Sequence, residues 1–550
     1  MLTSADQQFD ELVGRVLNST WKFYPDRAAK EGLHDYDGGM TDVSTPAIAT
    51  RVRDLDTHLA QLHRLDDELL SDSRRFDRRV LISALRKEKF GLTELKIYQR
   101  NPMDALDHID LSSYVLRDYA PAEERVEALT TALGKVPDYV NTLRSNIDAD
   151  IGKPIIEASI EAYEGMQAFY ETDLVMEVRR LGAQAAFGQF DTARRAASQA
   201  LGSFVAHLRS RLSTAPMDFA IGATNFQWML EYGEMIDLPI NELQRIGEQD
   251  LHRNLIQLRK LASEITPNGD VATLLRETKQ NHPAASMLIP ETSNMLDSIR
   301  QFIVDNDLLS IPSSIRCTVK ETPAFMRWAF AAMDLPGTFE TNATEAYYYI
   351  TPVDRSWTDV QKDEWLSSFN YPLLKDVSIH EAYPGHYVHH LHSKNASSKL
   401  SLVFGAYSFW EGWAHYAEEM MIEQGFGWND KRVHLMQLME ALLRDCRFLC
   451  SIRMHTQGMT VEEAKRFFIE YAYLEELPAE REAMRGTFDP MYLNYTLGKL
   501  QLMKLREEYK LLKGRDFSLK TFHDTLLSFG APPIPLIREA VLGERGGSPL

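Results

Sequence analysis

The chain has 550 residues, of which 44% are hydrophobic, 10% aromatic and 25% charged. This composition excludes wholesale disorder, collagen-like repeats and a membrane-embedded chain, and it allows three or four domains or one large helical enzyme body. Lys and Arg number 60 against 79 Asp and Glu, a formal net charge of −19, so a nucleic-acid duplex or an anionic membrane would be repelled unless a local basic patch intervened.

The N-terminal segment MLTSADQQFDELVGRVLNSTWKFYP has no basic stretch followed by an apolar one. Nor does any run reach the roughly 18 apolar residues that span a bilayer. The chain therefore reads as soluble and cytoplasmic, or as periplasmic or exported if a signal peptide has been removed. Up to about residue 265, apolar residues recur at spacings of three and four, as in Leu55, Leu59, Leu62 and Leu201, Phe204, Val205, Leu208. This pattern predicts an N-terminal region, 1–265, of stacked amphipathic helices. The basic runs Arg74-Arg75 and Arg78-Arg79, each with an Asp beside it, read as a solvated helix face.

Residues 266–355 differ. Pro267, Pro283, Pro290, Pro312, Pro323, Pro336 and Pro352 break helical runs, and SSIRCTVKETP and EAYYYITPVD look like short strands. Tyr347-Tyr348-Tyr349 is either an edge strand open to an extended peptide or a buried strand with aromatic packing, the second being favoured. From 356 to the end helical periodicity returns. With no internal repeat or long linker, the expected fold is mainly α: one compact helical body with a small β element near 313–352. The cysteines Cys317, Cys446 and Cys450 are odd in number and far apart, which fits a reducing compartment and core packing rather than a disulfide framework.

Five of the 16 histidines, His380, His386, His389, His390 and His392, lie in SIHEAYPGHYVHHLH. The pair His380-Glu381 resembles the start of H-E-x-x-H, in which two imidazoles bind zinc and the Glu polarises a water. Here the second His is six residues on, and at about 100° per residue a regular helix would point the two rings apart. Pro384 and Gly385 lie between them, and a bulge there could return His386 to the face of His380. The pair His386/His390 has helical spacing but no adjacent carboxylate base. A third ligand should come from FWEGWAHYAEEM, which offers Glu411, His415, Glu418 and Glu419.

The segments ETPAFMR, HEAYPGH, EGWAHYAEE, RFLCSIRMHTQGMTVEEA, LNYTLGKLQLMKLRE and FHDTLLSFGAPPIPLIREAV resemble, in order, the motifs of the bacterial family catalogued as domain of unknown function 885. That family is similar to zinc peptidases of the thermolysin and oligopeptidase type, with a large helical body around a deep central cleft. The resemblance implies one Zn²⁺ per chain, or another divalent metal, on His380, His386 and Glu411. It also implies Glu381 as general base and Glu418 as a further acidic position. His415 stands where the family usually has an apolar residue, and His389 where Gln is common.

Hydrolysis at zinc also needs a donor to the oxyanion, and His455 and Tyr495 are the candidates. Arg327, Arg447 and Lys499 are candidates for binding a substrate carboxylate, although an ordinary ion pair is the commoner role of a single basic residue. The expected activity is a zinc metallopeptidase that cleaves short peptides. The alternatives are a metal-dependent amidase acting on a non-peptide amide and a non-catalytic helical binding protein.

Overall fold

The computed structural model describes residues 4–148, 150–266, 270–323, 327, 330–543 and 548–550. Pro267, Ala324, Phe325 and Met326, named above, lie outside the described residues. The chain is mainly α, with a single three-stranded sheet among the described residues. None of the described helices is long and apolar enough to cross a membrane.

The chain divides into two compact units, 1–221 with 336–344, and 222–335 with 345–550. In the first, the predicted amphipathic stripes form the core: Leu55, Leu62, Leu201, Phe204 and Leu208 are buried. The helices Ala122–Asn146, Lys153–Glu171 and Phe187–Arg211 pack together. Arg51, on helix Thr45–Arg64, is buried and forks onto both Glu88 oxygens at 2.6 and 2.7 Å. The basic run at 74–79 is not wholly solvated as expected. Arg78 is buried and donates to the Leu62 carbonyl and to Asp67, because its long side chain reaches the end of the preceding helix. The segment 336–344 returns to this unit, where Phe339 N–H donates to Glu31 O and Glu340 meets His34.

The second unit begins earlier than the sequence pattern placed it. Helix Ile240–Ile265 was expected in the N-terminal region but runs antiparallel along helix Lys431–Thr456, with contacts at Asn254–Asp445 and Arg453–Glu248. Gly247 makes the approach possible, since a Cβ there would sit 2.4 Å from the Phe448 ring. Amphipathic periodicity marks a buried stripe but does not name the helix that covers it. Cys446 and Cys450 are buried and free on the same long helix.

Strands β1 (Thr318–Glu321), β2 (Ala331–Asp334) and β3 (Tyr347–Ile350) form the sheet in the order β1-β3-β2. β1 and β3 are parallel with Val319 opposite Tyr348, and β2 is antiparallel with Met333 opposite Tyr348. The tyrosine strand is thus central and buried, not an edge. β2, which no alternation announced, is paired on one side only.

Three buried imidazoles are held neutral in this unit. His389 faces the Gly530 carbonyl, His455 the Gly486 carbonyl, and His523 lies between Leu308 O and the Tyr416 hydroxyl. Burial pushes their pKa values down, to about 3 for His389 and about 4 for the other two. Each depressed pKa contributes stability that is fully present above the unfolded value of about 6.5 and is lost as pH falls. Between pH 6.5 and 5 the loss is about 2 kcal/mol per imidazole. The thermal midpoint should therefore drop between pH 7 and pH 5, before the carboxylates titrate; a flat midpoint across that range would contradict these assignments.

Candidate metal centre

His380 and Glu381 occupy the last turn of helix Tyr371–Glu381, which starts with the Asn370 side chain accepting from Leu373 N–H and Pro372 in the first turn. The helix stops there. The Tyr383-Pro384 peptide is cis, and Gly385 N–H reaches back six residues to the Ile379 carbonyl. A second helix, His386–Ser393, opens on His386. The expected bulge is therefore a full interruption, and it returns the second histidine to the first: the two rings lie 4.8 Å apart at 87°. Only glycine fits at 385, because a Cβ would fall 1.7 Å from the His380 carbonyl oxygen.

Glu411 comes from helix Tyr407–Glu423. Its Oε2 lies 3.4 Å from His380 Nε2 and 3.5 Å from His386 Nε2. One ligand atom from each of the three residues lies within 4.8 Å of the others. Glu411 Oε2 is buried and accepts no hydrogen bond. Two imidazole nitrogens and an orphaned carboxylate oxygen within this reach of one another are a donor set that could hold a divalent metal ion. Burial opposes its charge, yet His386 and His380 hold the Glu411 carboxyl well below the usual carboxylate range.

Glu418, two helical turns after Glu411, has no solvent exposure and holds the far side of His380. Its Oε1 accepts from His380 Nδ1 at 2.6 Å and pairs with Arg444 at 3.2 Å, while Oε2 accepts from His415 Nδ1 at 2.9 Å. Donation from Nδ1 turns Nε2 of His380 toward Glu411, the arrangement by which a carboxylate orients a ligating imidazole. His415 is thus a partner of Glu418 rather than a member of the ligand set. Glu419 belongs elsewhere, bound to Arg253.

Glu381 is half-buried beside the group, and its Oε2 accepts from Met333 N–H on the open edge of β2 at 3.0 Å. Tyr495, from helix Asn494–Lys513, lays its ring on His380 at 6.3 Å and 21°. The other candidates fare differently. Arg447 is committed to both Glu482 oxygens, though its guanidinium lies 5.1 Å from the Tyr495 ring centre. Lys499 is fully buried against Asp250 and Glu419. Arg327 donates to the Thr322 carbonyl, and Tyr349 sits in the centre of the sheet. His389 packs on Phe409 and Trp410. His455 lies eleven residues beyond Arg444 on the same helix, or roughly 16 Å along its axis, so it is a core histidine and not an oxyanion donor.

Four residues at the site escaped the sequence reading. Arg444 holds Glu418, and its place three residues before Arg447 on one helix face was the available signal. Tyr407 stands one turn before Glu411, with its hydroxyl 3.5 Å from that of Tyr495. Arg485 reaches Tyr407 from a helix with no motif of its own. Asp376, one turn before His380, is buried with neither oxygen hydrogen-bonded, and burial pushes its pKa far up.

Helices Tyr407–Glu423 and Asn494–Lys513 touch at Gly412 and Gly498, where a Cβ on Gly498 would lie 1.8 Å from the Ser408 carbonyl oxygen. Gly498→Ala must part the Glu411 and Tyr495 helices. It is expected to destabilise the protein by several kcal/mol, on the order of other severe overpacking changes. A thermal midpoint unchanged in Gly498→Ala would contradict the close contact.

The whole chain is also similar to proteins of known structure. A candidate lipoprotein of unknown function from Shewanella oneidensis is 23% identical, with a TM-score of 0.81 over 97% of this chain and 99% of that one. A candidate lipoprotein from Colwellia psychrerythraea is 18% identical, with a TM-score of 0.82 over 98% and 99%. At these identities the likeness shows the fold. Among curated proteins there is no match. The family model described as bacterial protein of unknown function (DUF885) matches residues 25–541, and the chain belongs to that family.

Proposed function

We propose that the protein is a metal-dependent hydrolase, a metallopeptidase acting on short peptides, with His380, His386 and Glu411 as ligands. The observation that carries this reading is the convergence of these three side chains on an orphaned carboxylate oxygen, with Glu381 adjacent and Glu418 bracing His380. A divalent ion there would supply the Lewis acidity that lowers the pKa of a water and polarises a scissile carbonyl. The chain's own residues supply the rest. Glu381, next to His380 in the chain, would take the proton of the attacking water and pass it to the leaving nitrogen. Tyr495, its ring against His380, would donate its hydroxyl proton in a hydrogen bond to the developing oxyanion. Met333 N–H holds the Glu381 carboxylate in position until substrate arrives. Of the two locations weighed on the sequence, export accords with the lipoprotein description of both structural neighbours.

Purified protein should contain one zinc or similar divalent ion per chain and cleave members of a mixed-peptide pool read by mass spectrometry. Glu381→Gln should keep the metal and lose turnover, because Gln fills the same volume but cannot accept the proton. His386→Ala should lose the metal itself. Glu418→Gln should weaken metal affinity about 10- to 100-fold, as loss of an orienting carboxylate does. Metal bound without cleavage of any peptide would overturn the peptidase reading, and full activity in Glu381→Gln would remove Glu381 as base.

A further inference from the structure

We infer that Arg485 is the receiver of a substrate carboxylate, and that the site selects peptides whose free carboxylate lies within about three residues of the bond to be cut. The inference rests on the hydrolase reading above and adds a substrate class to it. Three guanidinium groups surround the Tyr495 ring, those of Arg444, Arg447 and Arg485, at 5.7, 5.1 and 5.9 Å from its centre. Two are spent on the protein. Arg444 is buried between Glu440 and Glu418, and Arg447 is forked onto Glu482 through Nε and Nη2.

Arg485 differs in exposure from Arg444 and Arg447, whose side chains are 7% and 11% exposed. Its side chain is 30% exposed. Nε and Nη2 both meet a single oxygen of Asp489, and Nη2 also reaches the Tyr407 hydroxyl at 3.2 Å. Nη1 has no acceptor among the described residues. A guanidinium carries five N–H donors and can serve carboxylates on two edges, so Asp489 fixes one edge while the Nη1 edge stays available. The Tyr407 hydroxyl, shared between Arg485 and Tyr495, ties this donor edge to the residue placed to hold the oxyanion.

Distance sets the substrate class. His380 and Tyr495 rings are 6.3 Å apart, and the Arg485 guanidinium lies 5.9 Å from the same Tyr495 ring. These two steps cap the separation of imidazole and guanidinium at about 12 Å. An extended chain covers roughly 3.3–3.6 Å per residue, so no more than about three residues fit between the scissile carbonyl and the carboxylate. A chain terminus and an acidic side chain offer the same chemistry, and an experiment can tell them apart.

The test is digestion of a mixed pentapeptide pool by the metal-loaded full chain, with one half of the pool as free acids and the other half C-terminally amidated. Cuts should fall within three residues of the free terminus. Amidation should lower kcat/KM by roughly 10- to 100-fold, the usual value of a charge-assisted hydrogen bond. In Arg485→Gln the ratio of free-acid to amide turnover should approach one, and Arg485→Lys should restore part of it. Amidated peptides that are cut only where Asp or Glu sits within the same reach would assign the carboxylate to a side chain. Cuts indifferent to both amidation and acidic residues in the wild type would overturn the inference, with no variant needed. If no peptide is cut, the peptidase reading fails, and binding of acetyl-trialanine as acid and as amide decides the inference by itself: equal affinity for wild type overturns it, and tighter binding of the acid that is lost in Arg485→Gln sustains it.

Discussion

The candidate site is organised around one buried carboxylate. Glu418 has no exposed surface, and an isolated charge in that position would cost several kcal/mol. Three partners from three different segments make it tolerable: His380 from the helix of the first ligand, His415 from its own helix, and Arg444 from the long helix behind. Burial works against the ionised form, but Arg444 and His415 hold the Glu418 carboxyl below its ordinary range. The same interaction sets the tautomer and direction of His380. A group that must be satisfied from three sides leaves little freedom in how those segments meet.

Glycines carry the second constraint. Gly385 lets the chain cross the His380 carbonyl, so two histidines six residues apart share a metal-sized space. Gly412 and Gly498 bring two helices to backbone contact, which places Tyr495 against His380 and Lys499 against Glu419. At each position a Cβ would overlap backbone atoms, which cannot swing aside as the end of a side chain can. His386, Glu411 and Tyr495 are thus brought to His380 by backbone proximity as much as by side-chain choice.

Burial also divides the residues of the candidate site into two sets. His380, Glu418, His415, Arg444, Lys499 and His455 are buried and bonded within the protein, whereas Glu381, His386, Glu411, Tyr407, Tyr495 and Arg485 are only partly covered. Two of the residues first considered for carboxylate binding, Arg447 and Lys499, are paired with acidic partners and little exposed, at 11% and 0%. Arg485, which no motif marks, keeps a free donor edge.

The sequence by itself determined the local features: the helical stripes, the strands at 318–321 and 347–350, and the break at Pro384-Gly385. It also contained the motifs that carry His380, His386 and Glu411, the three residues that the structure brings together. Each of these depends on periodicity, on proline and glycine chemistry, or on a short motif, and all are legible within a few residues. Tertiary structure alone decided that Ile240–Ile265 packs on Lys431–Thr456, that the tyrosine strand is central, and that His455 is a core residue while Arg444 and Arg485 join the site. The physical reason is that an imidazole or guanidinium has the same chemistry wherever it stands in the chain. Its role is set by which carboxylate or carbonyl from a distant segment reaches it first, and that contact exists only once the helices have packed.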